Sequence, residues 1–334
     1  MSRLYRSLCD RSSLMDDFGA DPDDLAVWGL HCFCLGARST PHHVVKMDDN
    51  GRLLFRARQG VTRTELRQYG IDPLDSQIAL LRAYHLIAVE GERLVTTFPV
   101  LGSQETAGLR IRMAELAEVV AAEIATDVSA LADVLTGEGL ARSVYGVLFG
   151  YVIDGLIWDR LRSDGLLPSG ELSVERPYWN GAFWAVYPPR EGAMGTNEIE
   201  EAGVRLTMVW TDETVRALNR LAEAPALRSA LRAVSRGSLP REALVDDEGK
   251  LTIPVIRRRE SDPVHRIGLR IAGKIVSALV RDLPQAGVVV AAHELIWSVV
   301  DALEMAGMVR RPGTFDGAGS LAAQMFLSTD GAEV

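Results

Sequence analysis

Along residues 60–100 the spacing of apolar positions changes from a helical to a strand period, and the change marks out a compact module. Thr62 is placed to cap a helix with its hydroxyl, and Glu65 three positions on completes a capping-box pattern. Gly70 ends that helix after about two turns, because a glycine takes the left-handed conformation without a Cβ clash. Asp72-Pro73 gives the next start, a capping carboxylate followed by the residue best suited to a first helical position. Through this second helix Leu74, Ile78, Leu81 and His85, flanked by Leu80, Tyr84 and Ile87, keep the spacing of a buried face, while Asp75, Gln77, Ala79 and Arg82 fall opposite. Residues 86–89 and 93–98 are then β-prone, and Glu90-Gly91-Glu92 joins them as a hairpin.

Upstream, Asp21-Pro22 repeats the cap signal and predicts an apolar helix over residues 25–35. Residues 43–47 and 52–55 flank Asn50-Gly51, a hairpin signal, and residues 52–58 read as a strand. The resulting order over residues 22–99, helix, strand, helix, helix, strand, strand, resembles the winged helix-turn-helix superfamily. That resemblance implies that residues 73–87 enter a DNA major groove. The candidate DNA-binding set is Arg56, Arg58, Arg63, Arg67, Gln77, Arg82 and Arg93, with Arg52 close by. Asp72, Asp75, Glu90 and Glu92 put carboxylates where phosphates would lie, so a protein-binding role for the same module stays open.

Past Gly102 a helical stripe of Leu109, Met113, Leu116, Val120, Ile124, Leu131 and Leu135 predicts a long helix ending at Gly137 or Gly139. It reads as a linker or dimerisation helix of a homodimer, with burial inside the same chain as the alternative. Residues 141–162 are apolar nearly all round and predict the central helix of a second domain. Tyr178, Trp179, Phe183, Trp184 and Tyr187 then crowd into ten positions. Residues 182–187 look like a strand, residues 203–210 like its partner, and the Gly- and Glu-rich stretch between them like a loop. Further helices are expected over 211–221 and 226–234, and a strand over 250–257 that Pro254 marks as an edge. Asp262-Pro263 opens a helix through residue 280, and residues 291–308 give the last helix. Its frame, Leu303 to Val309, resembles residues 81–87, which suggests a degenerate second winged helix at the end of the chain. The expected fold class is mainly α with small antiparallel sheets: a winged-helix domain (1–102), the long helix (103–139) and a helix-rich α+β domain (140–334).

Composition narrows the function. The net charge of −9 is uneven: residues 101–200 carry 7 basic against 15 acidic side chains, which excludes that segment as a phosphate-binding surface. Arginine outnumbers lysine 33 to 3, so arginine clusters carry less weight as a nucleic-acid signal. Residues 1–10 lack the apolar run of a secretory signal and read as a helix, and the three cysteines suit a reducing compartment, so cytoplasmic residence is expected. The longest apolar stretch, 144–161, is cut by Asp154 and Asp159, which argues for a core helix over a membrane span.

The flat faces of Tyr178, Trp179, Phe183, Trp184, Tyr187 and Trp210, with Asp154 and Trp158 on the preceding helix, form the candidate ligand-binding set for an aromatic or cationic effector. Ordinary core packing competes with that reading. No metal or cofactor is expected: Cys32 and Cys34, on a helix, would point apart, and His293-Glu294 is followed a turn later by Trp297 where a second zinc ligand would stand. The acidic cluster at Asp16, Asp17, Asp21, Asp23 and Asp24 suits helix starts. No phosphate-binding loop or nucleophile elbow appears. The leading reading is a winged-helix DNA-binding regulator with a small-molecule-sensing C-terminal domain. A protein-interaction adaptor and an enzyme using Asp154 or Asp159 are the alternatives.

Overall fold

The computed structural model describes residues 20–37, 40–167, 172–174, 176–192, 194–201, 203–211, 214–216, 253–282, 287–311 and 323–330. The helices expected over 1–10 and 226–234, most of that over 211–221, Cys9, Asp16, Asp17 and residues 317–320 lie outside these. The fold is mixed α+β and divides into two compact units, Met1–Ile111 with Leu167–Arg190, and Arg112–Leu166 with Glu191–Val334.

Among the described residues of the first unit, the first element is a 3-10 turn at Leu25–Val27, where the Asp24 carboxylate accepts from the Ala26 amide at 2.9 Å. The chain then runs as strand β1 (Gly29–Ala37), where the sequence predicts a helix. The cause is tertiary: β1 pairs antiparallel with β6 (Trp179–Val186), a partner about 150 residues away that local pattern cannot reveal. Asp21, the expected cap of that helix, instead accepts from the Ser103 amide at 3.2 Å, at the start of the long helix.

Residues 42–57 form two helices, α1 (His42–Val45) and α2 (Asn50–Ala57), in place of the expected hairpin. Asn50 decides this: its side chain is buried and donates to the Val44 carbonyl at 2.7 Å, turning α1 into α2. Gly51 is required by crowding, since a Cβ there would stand 2.7 Å from the Ala26 amide nitrogen.

Strand β2 (Val61–Thr62) feeds helix α3 (Arg63–Gln68), whose Thr62–Glu65 capping box forms as the sequence predicts. Gly70, at φ +74°, ends it. Helix α4 spans Asp75–Ala83 and starts two residues later than expected, with Leu74 at its cap position and no side-chain cap bond. Leu74, predicted to be buried, is 70% exposed, whereas Ile78, Leu81 and Tyr84 are buried. Strands β3 (Ile87–Glu90) and β4 (Arg93–Thr96) make the predicted hairpin, turning at Gly91 with φ +63°. The sheet order is β2-β4-β3. Residues 22–99 therefore run β1, α1, α2, β2, α3, α4, β3, β4 after the 3-10 turn: residues 25–35 form no α-helix, and residues 52–57 belong to α2 where a strand is expected.

Strand β5 (Val100–Leu101) pairs parallel with β6, giving a second sheet ordered β1-β6-β5. Trp179, Phe183 and Ala185 on one face of β6 join Leu25, Trp28, Leu53, Leu54, Leu66 and Leu81 in one buried core. Each fully buried large apolar side chain of this kind stabilises the unit by about 1.5–3 kcal/mol. Helix α5 (Ser103–Gly137) follows, and Leu109, Met113, Val120, Ile124, Leu131 and Leu135 of its stripe are buried within the chain.

In the second unit a helix, α6, runs through Val144–Gly146, Val147–Leu156 and Ile157–Ser163, the middle segment wound as a π-helix. It packs on a sheet ordered β7-β8-β10-β9, built from β7 (Met194–Glu201), β8 (Val204–Thr211), β9 (Val255–Arg257) and β10 (Met325–Thr329). Gly150 lets α6 approach: a Cβ there would lie 2.6 Å from Val209 Cγ2. β8 pairs with β7, which occupies the expected loop, and with β10, and not with the aromatic strand β6. Pro254 precedes β9, which is an edge strand as predicted.

Helix α7 (Pro263–Asp282) is capped by Asp262, which accepts from the His265 amide at 3.0 Å. Asp127 of α5 takes Arg270 and Lys274 of α7 at 2.8 and 3.0 Å. These two cations hold the Asp127 carboxyl below its ordinary pKa against the opposing effect of burial. Helix α8 (Val288–Met305) is largely buried, and among the described residues only β10 follows it, so the hairpin of a second winged helix is not among them. No described helix is long and apolar enough to cross a membrane.

Candidate functional site

The surface that best concentrates the candidate residues is built from α3, the turn after it, α4 and the β3–β4 hairpin. The capping box fixes where α3 starts, Gly70 reverses the chain, and burial of Ile78 and Leu81 sets the rotation of α4. Asp75, Ser76, Ala79 and Arg82 are thereby left exposed. Arg82 has no ion-pair partner among the described residues.

The remaining arginines are engaged within the module. Arg63 on α3 meets Asp75 on α4 at 2.5 Å, and Arg67 meets Asp72 in the intervening turn at 3.0 Å. Arg93 donates to the Gly60 carbonyl. Arg56 bonds Asp23 at 2.6 Å with its guanidinium 4.0 Å from the Tyr69 ring centre, and Arg58 lies 3.7 Å over Phe55. Arg52 reaches Asp49 and the Tyr69 carbonyl.

Gln77, expected to face outward, is half-buried and donates to Asn50 Oδ1 at 2.7 Å. Asn50 thus links α1, α2 and α4, a role its Asn-Gly context conceals. Glu65 is held below its ordinary pKa by the Thr62 amide and hydroxyl that it accepts from, as a capping carboxylate should be.

The eight candidate ligand residues fall into two groups. Tyr178, Trp179, Phe183, Trp184 and Tyr187 belong to the first unit, and three of them are core: Trp179, Phe183 and Trp184 are 3%, 3% and 1% exposed. Trp179 donates to the Tyr84 carbonyl at 2.8 Å, and Phe183 packs edge-on to Phe98 and His42. Trp184 stacks on His31, while Tyr178 stacks on Tyr84 at 4.9 Å and Tyr187 packs on Trp28. Three of the five rings are therefore core, while Tyr178 is exposed and Tyr187 half-buried.

Asp154, Trp158 and Trp210 belong to the second unit and gather about β7. Asp154, in the π-helical segment, accepts from Trp158 Nε1 at 3.1 Å and from Thr196 Oγ1 at 2.7 Å. The Trp210 ring lies against Gly195, where a Cβ would come within 2.6 Å of it. Burial raises the pKa of Asp154, against the two hydrogen bonds and nearby His293, which lower it.

A carboxyl raised in the folded state is protonated more readily there than in the unfolded chain. Its cost is therefore absent below the unfolded pKa of about 3.9 and grows as pH rises through the folded value. Asp154→Asn is expected to raise the melting temperature relative to wild type at neutral pH, with the gain vanishing as pH falls below the unfolded carboxyl value of about 3.9. Thermal melts of both proteins across pH test this; a gain that does not change with pH would mean that Asp154 is not the titrating group.

The basic run at Arg257–Arg259 is structural in part: Arg258 bonds Asp159 at 2.5 Å and Asp330 at 3.3 Å. Cys32 and His42 approach at 4.0 Å, but among the described residues no group of three or more His, Cys, Asp or Glu side chains gathers as a metal site. Comparisons with protein-family models, with curated proteins and with solved structures found no match.

Proposed function

We propose that the chain is a winged-helix regulator that binds duplex DNA, with α4 as the helix that enters the major groove. The observation that carries this reading is the order α2, β2, α3, α4, β3, β4 with β4 between β2 and β3. That order puts a helix pair beside a hairpin, and it leaves Ser76, Ala79 and Arg82 outward on α4 for base edges. Arg63, Arg67 and Arg93 lie on the elements that would flank the groove. The Arg63–Asp75 and Arg67–Asp72 pairs are exposed and worth about 0–1 kcal/mol each, so phosphate can replace those two carboxylates.

Fluorescence anisotropy with a labelled duplex, repeated from low to high salt, tests the reading. Affinity should fall with salt by a logarithmic slope of about −0.9 for each arginine engaged. Arg82→Ala should weaken binding about tenfold or more, as for loss of a base-contacting arginine, while changing stability by less than about 0.5 kcal/mol.

A specific observation favours a second reading, an adaptor that docks protein. Residues 63–93 carry 4 basic against 5 acidic side chains, and Tyr69, Leu74 and Val89 are exposed apolar residues on the same elements. Absence of duplex binding even at low salt would leave that reading in place of the first.

A further inference from the structure

We infer that Asp72 and Asp75 are internal stand-ins for phosphate: they occupy Arg67 and Arg63, suppress sequence-independent DNA binding, and give way only when base contacts from α4 are made. This rests on the DNA-binding reading and adds a control on its specificity.

The geometry places each carboxylate where a backbone phosphate would serve equally well. Arg63 stands at the start of α3 and Asp75 at the start of α4, and the ion pair between them spans the two helices. Arg67 stands in the last turn of α3 and Asp72 just beyond Gly70, so the second pair closes over the turn. All four side chains are exposed, from 41% for Arg63 to 89% for Asp75. Both pairs therefore face solvent, where a closely held phosphate can compete with each carboxylate for its arginine. Asp75 also lies in the first turn of α4, where the exposed amides would otherwise attract an anion.

Capping does not account for these carboxylates. The α4 cap is Leu74, which makes no side-chain cap bond, and Asp72 lies two residues before it. On non-specific DNA the arginines stay paired and few counterions are released. At a cognate site, the base contacts of α4 fix the module against the backbone and phosphates displace both carboxylates.

The experiment is a salt series of duplex binding with the full chain, using a random-sequence duplex and four proteins: wild type, D72N/D75N, R63A/R67A, and the quadruple variant. Freeing two arginines should steepen the logarithmic salt slope of D72N/D75N by about 1.8, so that its affinity falls about tenfold further than that of wild type between 50 and 200 mM salt. At 50 mM it should bind about tenfold more tightly, and the quadruple variant should return to the wild-type slope.

Equal slopes for wild type and D72N/D75N would overturn this inference while leaving DNA binding intact. A steeper slope that survives in the quadruple variant would also overturn it, by showing a change in overall charge alone. If neither wild type nor D72N/D75N binds duplex at 50 mM, the DNA-binding reading falls and this inference with it. Asp75 contributes to the first turn of α4, so D72N alone serves if D75N impairs folding; half the slope change is then expected.

Discussion

Residues 20–111 expressed alone will fail to form a cooperatively folded domain, although α2 to β4 lie wholly within them. The missing piece is β6, which stands between β1 and β5 in its sheet and supplies Trp179, Phe183 and Ala185 to the core beneath α4. Without it β1 and β5 lose every strand pairing described for them, and the Tyr84 carbonyl loses the Trp179 indole donor. Truncating a buried Phe or Trp costs about 3–5 kcal/mol. Two such losses consume most of the 5–15 kcal/mol by which a domain is ordinarily stable. Urea titration followed by circular dichroism should show a shallow, non-sigmoidal transition for the fragment. Joining residues 172–190 to it through a flexible linker should restore a sigmoidal one. A fragment that unfolds cooperatively by itself would show that β6 is an accessory strand and that the first unit ends near Leu101.

What was legible in the sequence follows from the range of the forces involved. The Thr62–Glu65 box, the stop at Gly70, the turn at Gly91 and the Asp262 cap are decided within a few residues, and each forms where its pattern predicts. The long helix and the apolar helix of the second unit carry enough period over enough turns to be read directly. Residues 25–35 and 43–58 are misread because their conformations are set from afar. Strand β1 needs β6, and Asn50 prefers burial against Val44 and Gln77 to a hairpin turn.

The same limit governs the candidate site. Helical period alone places Arg63 and Arg67 on α3 and Arg82 on α4, yet sequence spacing cannot show that Asp75 and Asp72 reach the first two. The aromatic run from Tyr178 to Tyr187 leaves pocket and core open in the sequence. The strands beside it are β1 and β5, and Leu30 and Cys32 of β1 pack on the same core as Trp179 and Phe183. The sequence pattern groups Asp154, Trp158 and Trp210 with the aromatics of residues 178–187, which belong to the other unit, and the π-helical winding around Asp154 leaves no local signature in the residues.

Leu81→Ala and Leu74→Ala should separate by several kcal/mol, although the two leucines occupy one stripe of the same apparent helix. Leu81 is fully buried, against 70% exposure for Leu74. Removing three carbons from a closed core forfeits their transfer energy and leaves a cavity, a total of about 2–5 kcal/mol. For a unit of this size that lowers the melting temperature by roughly 10 °C or more. Leu74, outside the first turn of α4, should change stability by less than about 0.5 kcal/mol. Because Leu81 fixes the rotation of α4, its loss should also weaken any binding that α4 mediates, whereas Arg82→Ala should affect binding alone. Parallel thermal melts and anisotropy titrations read both effects. If Leu74→Ala proves as damaging as Leu81→Ala, then α4 begins at Pro73 with Leu74 on its inner face, and the outward positions assigned to Ser76, Ala79 and Arg82 must be rotated accordingly.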